Sequence, residues 1–151
     1  MWPFKKRKDF FTEGEKQLIV EAIRACEIRT SGEIRLFVES KCRFMNAVDR
    51  AQEIFFQLQM DETEDRNAVL IYLATKDKQL AIFGDENIYK KLGAAYWPAE
   101  VESIIATFNT ADYAQGLRKC IYDIGEALYL HFPFDHDTDK NELPDEIVFG
   151  K

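Results

Sequence analysis

RNAVLIYLATKDKQLAIFGDENIYKKLG, residues 66–93, decides the fold. AVLIYLA is apolar on both faces, which marks a strand in the middle of a sheet. TKDKQ makes a turn, and LAIFG returns as an antiparallel neighbour. The next stretch, 86–92, is helical and stops at Gly93. Working upstream, GEIRLFVES alternates: Ile34, Leu36 and Val38 lie on one face, Glu33, Arg35, Phe37 and Glu39 on the other. That pattern predicts a strand with one well-buried face. Between these two strands Asn46 caps a helix with Ala47, Val48, Ala51, Ile54, Phe55 and Leu58 as its apolar stripe. A helix between the strands makes them parallel.

The flanks are helical. Thr12 and Glu15 form a capping box, followed by Leu18, Ile19, Ala22, Ile23 and Cys26 at helical spacing, with Gly32 closing the segment. Trp97-Pro98 opens another helix with Pro98 as its first residue, and Val101, Ile104, Ile105 and Phe108 form its face. A long helix then runs from about 113 to 131, with Leu117, Ile121, Ile124 and Leu128 inward, and Pro133 ends it. The expected architecture is α/β, a three-layer α/β/α sandwich with a small mixed sheet of about three to four strands and about five helices. Residues 1–11 form a basic aromatic segment, 12–132 the domain, and 133–151 an acidic tail in which Leu143, Ile147 and Phe149 can pin to the core.

Lys5, Lys6, Arg7 and Lys8 against Asp9 give the first ten residues +3, so the rest carries −10 to reach the net −7. An acidic body argues against nucleic acid, which needs clustered cations. It suits a metal ion or a cationic protein partner. Cys26, Cys42 and Cys120 fall in no CxxC pair, which points to free thiols in a reducing compartment. There is no apolar run of the ~20 residues that span a bilayer, and no apolar stretch follows the initial charges as a secretory signal would require. The expectation is a cytoplasmic protein. Trp2, Phe4, Phe10 and Phe11 beside the four cations could give residues 1–11 a weak contact with an anionic membrane surface; the plainer alternative is a frayed terminus with Phe10 and Phe11 packed on the core. No motif sets an oligomeric state.

The strand directions place residues 30–33, 61–67 and 84–87 at one edge of the sheet. Glu33, Arg66, Asn67, Gly84, Asp85 and Asn87 are the ligand-binding candidates there. Asp61, Asp65 and Asp85 could supply oxygens to Ca²⁺ or Mg²⁺, with Arg66 and the helix after Gly84 taking a phosphate. The plainer alternative is a solvated acidic loop in which Arg66 pairs with Glu62.

TSGEIRLFVE, RNAVLIYLA, KQLAIFGDENI and FNTADYAQGL together resemble the TPM domain family, over roughly Phe11 to Phe132. That family is named for a thylakoid lumen acid phosphatase, a photosystem II repair protein and a worm acetylcholine-receptor modulator. Its usual form has Gly after the Asn of the second block, where this chain has Ala68. It also tends to place Gly early in the turn after the third strand, where this chain has Asn87, a residue that tolerates positive φ. The resemblance implies an α/β/α sandwich, and phosphatase activity and divalent-cation binding as attributed to plant members. Asn67, Gly84 and Asp85 match the family's loops by position, and no nucleophile carries over.

In the tail, Asp135, Asp137, Asp139 and Glu146 occupy positions 1, 3, 5 and 12 of an EF-hand-like loop. Lys140 stands where that loop turns on Gly, and Glu142 where it wants an apolar residue. His131 and His136 are the only histidines, and His131 suits a helix C-terminus by charge alone. No GxSxG, HExxH, P-loop or CxxC motif occurs, and neither Ser31 nor Ser40 has a base beside it in sequence. Three functions follow. One is a binding or accessory module with a cation or anion site at the sheet edge. The second is a metal-dependent phosphatase acting on phosphate monoesters. The third is a peripheral membrane-associated accessory protein.

Overall fold

The computed structural model describes residues 10–108, 112–134 and 147–150. The strand β2 (Ala68–Ala74) has all seven residues buried, so both of its faces must be covered. Strand β1 (Glu33–Glu39) lies parallel to it, with Glu33 opposite Ala68 and Glu39 opposite Ala74. Strand β3 (Gln79–Gly84) lies antiparallel on the other side, with Val69 opposite Gly84. A short β4 (Ile147–Phe149) runs parallel to the outer edge of β1, giving the order β3-β2-β1-β4.

On one side of the sheet, Ile34, Leu36, Val38, Val69, Ile71 and Leu73 pack in the layer of α1 (Glu13–Glu27), α4 (Tyr96–Phe108) and α5 (Tyr113–His131). The short α3 (Glu86–Leu92) joins that layer through buried Ile88. On the other side, Phe37, Leu70, Tyr72 and Ala81 pack against Ala51, Ile54 and Phe55 of α2 (Ala47–Gln57). The α/β/α sandwich expected from the sequence is therefore present, with five helices among the described residues. Helix α1 runs antiparallel to β1. Glu27 at its end accepts the Ile34 N–H, whereas Lys16 in its second turn lies over the ring of Phe149, which registers with Val38.

Several local expectations need correction. The face of β1 bearing Glu33, Arg35, Phe37 and Glu39 is buried rather than solvated, because α2 covers part of it and the charges have partners. Helix α1 stops at Glu27, not at Gly32. Helix α4 begins at Tyr96, so Pro98 is its third residue; the Pro lacks an N–H that would have no intrahelical partner there anyway. Of the tail, Ile147 and Phe149 form β4 and tie to the sheet. Leu143, His136 and the EF-hand-like set Asp135, Asp137, Asp139 and Glu146 lie outside the described residues, as do residues 1–9.

Candidate functional site

The three loops meet at the edge where β1 and β2 begin and β3 ends. The Asp85 N–H donates to Ala68 O (2.9 Å) and the Asn87 N–H to Arg66 O (3.0 Å), which stitches the β3–α3 junction to the start of β2. The Asn87 side chain adds a bond to Asp65 O at 2.8 Å.

Arg66 does not pair with Glu62. It forms a two-pronged pair with Asp85, Nε to Oδ2 at 2.7 Å and Nη2 to Oδ1 at 2.9 Å, and a 3.3 Å contact with Glu86. The pair holds Arg66 in a left-handed backbone with φ 50°. Asp85 is also the N-cap of α3, its Oδ1 accepting the Glu86 N–H at 2.8 Å. A carboxylate of the chain itself thus sits where the helix dipole favours an anion. Both Asp85 oxygens are engaged within the protein. Gly84 is likewise explained by packing: a methyl there would lie 2.3 Å from Cη2 of Trp97, so the glycine makes room for the indole.

The second network is the one the sequence hid. Ser31 Oγ donates to Asp65 Oδ2 at 2.9 Å, and Asn67 Nδ2 donates to Ser31 Oγ at 3.0 Å. Asn67 is fully buried and its Oδ1 has no hydrogen-bond donor among the described residues. Thr63 Oγ1, in the same loop, is also buried without a partner among the described residues. Ser31 lies 34 residues from Asp65, so only the parallel register of β1 and β2 brings them together. Glu33 is buried and partnered at the head of β1. Asp61 is half-buried and reinforces the negative field that raises Arg66 above its ordinary value, after the Asp85 bond. Among the described residues no three Asp, Glu, His or Cys side chains converge to hold a metal, so Asp61, Asp65 and Asp85 do not form such a set on their own.

Burial pushes the Cys26 thiol up to about 11 and raises Cys120 as well, which leaves both protonated and weakly nucleophilic. Between α4 and α5, burial and then the neighbouring Asp123 push Glu100 up to about 7. A carboxyl raised on folding stabilises the protein fully below its unfolded value and loses that contribution as pH rises through about 7. Glu100→Gln should therefore match the parent near pH 4 and exceed it by about 1–2 kcal/mol near pH 8, after discounting for partial exposure. Urea unfolding of both proteins at the two pH values checks this; a gap that does not widen with pH would refute it.

The model of the TPM domain family matches residues 5–127, most of the chain. Among solved structures, the BA42 protein of the psychrophilic bacterium Bizionia argentinensis, determined by NMR, is 39% identical. The match covers 96% of this chain and 99% of that one, with a TM-score of 0.86. No curated protein matches the chain. With the family model spanning both loop networks and the sandwich that carries them, the chain belongs to the TPM domain family.

Proposed function

We propose that this protein is a binding module whose sheet-edge site takes a divalent cation, calcium in preference to magnesium. The observation that carries the reading is the orphaned Oδ1 of fully buried Asn67, two hydrogen bonds from the Asp65 carboxylate. A buried carbonyl oxygen without a donor costs about 1–3 kcal/mol. A hard cation offsets that cost and accepts the neighbouring carboxylate as well. Asp65 would supply charge, Asn67 a neutral oxygen, and Asp61 a further carboxylate from the same loop. Asp85 stays with Arg66. Two carboxylates and a neutral amide oxygen spread along one loop suit the larger ion, which accepts irregular geometry.

A second reading, phosphate-monoester hydrolysis, is favoured by one contact. The Ser31 hydroxyl already donates to a carboxylate able to take its proton, as an activated nucleophile requires.

Backbone amide NMR of the full chain during calcium and then magnesium titration tests the first reading. Amides in 30–33, 61–67 and 84–87 should shift with calcium, and Asp65→Asn should weaken binding about ten-fold or more. Unmoved amides at millimolar calcium, or shifts confined to 135–146, would sink it. For the second reading, turnover of a generic phosphate monoester should vanish in Ser31→Ala; turnover that survives the substitution rules Ser31 out.

A further inference from the structure

The opposite pole of the sheet, at the carboxyl end of β1, carries a different surface. There the β1–α2 loop is stitched to the β2–β3 turn. Thr75 N–H donates to Glu39 O (2.9 Å), Lys76 N–H to Ser40 O (2.7 Å), and Cys42 N–H to Asp77 Oδ2 (2.7 Å). The Cys42 thiol donates to Met45 O at 3.2 Å, and Asn46 caps α2 immediately after. On this fixed loop Phe44 is 100% exposed, with φ 68°, and Met45 beside it is exposed too. A bulky aromatic in a left-handed backbone, held out in water by a hydrogen-bonded frame, opposes both backbone preference and burial.

Cations surround it. Lys41, Arg43, Lys76 and Lys78 are exposed and form no ion pair among the described residues. Of the acids nearby, Glu39 and Glu53 pair with Arg50, whereas Asp77 accepts the Cys42 N–H, Asp49 accepts from the Asn46 amide, and both keep their charge, so the four cations outnumber two carboxylates. The outcome is a basic, apolar-tipped pole on a chain whose net charge is −7. Because α1 runs antiparallel to β1, the described chain also begins at this pole, where Phe10 stacks edge-on against Phe11 and Tyr113. The nine residues preceding Phe10 include Lys5, Lys6, Arg7 and Lys8.

We infer that this pole docks on an anionic lipid surface, with Phe44 and Met45 entering the headgroup layer and Lys41, Arg43, Lys76 and Lys78 facing the acidic lipids. Apolar tips ringed by cations match the layered polarity of such an interface, apolar beneath and anionic above. Duplex nucleic acid keeps its bases stacked behind a phosphate backbone and an acidic peptide offers chiefly charge, so neither gives a projecting Phe an apolar layer to enter. The sheet-edge cation site plays no part in the inference.

Co-sedimentation of the full chain with vesicles of phosphatidylcholine containing about 30% phosphatidylserine tests it, with pure phosphatidylcholine as control. Binding should occur only with the acidic lipid and weaken as salt rises. Lys41→Glu with Arg43→Glu should reduce it at least about 25-fold, from about five-fold per lost cation. Phe44→Ser should reduce it several-fold without changing the salt dependence. All three side chains are exposed, so the variants keep the fold. Absence of binding to acidic vesicles overturns the inference. So does binding that ignores these substitutions, which would assign the contact to residues 1–9. Loss of vesicle binding alongside retained, substitution-sensitive binding to an oligonucleotide would overturn it too.

Discussion

Glu39→Ala should destabilise the protein by about 3–5 kcal/mol, the largest single effect expected from a polar side chain here. Glu39 ends β1, is only 7% exposed, and holds two partners at once. Arg50 reaches it with Nε at 2.9 Å and Nη2 at 3.0 Å, and the hydroxyl of fully buried Tyr72 donates to the same carboxylate. Truncation strands that hydroxyl under α2 and leaves Arg50 without its main partner, and unpaired buried polar groups cost more than the pair ever contributed. Tyr72→Phe, which removes the hydroxyl but keeps the ion pair, should lose about 1 kcal/mol.

The same site makes a pH statement. Burial pushes the Glu39 carboxyl up, but the bonds from Arg50 and Tyr72 outweigh it and hold the group below its ordinary value. Such a group stabilises above the unfolded carboxylate range and loses its contribution as pH falls through the depressed folded value. The stability gap between the parent and Glu39→Gln should therefore shrink below about pH 4. Denaturant unfolding across pH measures both effects; a Glu39→Ala protein as stable as the parent would show the pair to be fully solvated.

Gly84→Ala should cost about 2–4 kcal/mol. The added methyl would meet Cη2 of Trp97 at 2.3 Å and Cζ2 at 2.7 Å. That ring is no loose side-chain end: it is 5% exposed and stacked on Tyr89 at 5.8 Å with its plane tilted by only 3°. The indole must leave its stack or the β3 backbone must retreat from α4. Trp97→Leu alone should also destabilise, by removing buried aromatic surface. Combined with Gly84→Ala it should cost less than the sum, because the second change vacates the space the first needs. Strict additivity in that cycle would mean that the methyl is accommodated elsewhere.

Local signals and long-range ones differed in how legible they were. The Thr12–Glu15 capping box and the Asn46 cap span three residues each, so the chain announces them without help from the fold. The central position of β2 followed from its two apolar faces. The polar-looking face of β1 misled for a physical reason. Alternation measures residue type, and a strand can bury charges when partners such as Arg50 arrive from another element. At the candidate site, the meeting of the three loops followed from strand direction, and Asn67 and Asp65 lie there as expected. Which side chain takes which partner did not follow. Arg66 chose Asp85, 19 residues away, over the neighbouring Glu62, because the hairpin register sets them face to face. Ser31 shows no base beside it in sequence because its carboxylate, Asp65, arrives from the loop that precedes the next strand.

Strand β1 has a last consequence. Its seven residues separate the two poles by about 20 Å, at roughly 3.3 Å per residue. With the Phe44 end seated on a charged bilayer, the Asn67 end would stand more than two Debye lengths above it in physiological salt, each about 8 Å. Ion occupancy there would then answer to the bulk solution and not to the lipid composition below. On the two proposals together, the sheet would work as a standoff that keeps the cation site clear of the potential of the lipid surface.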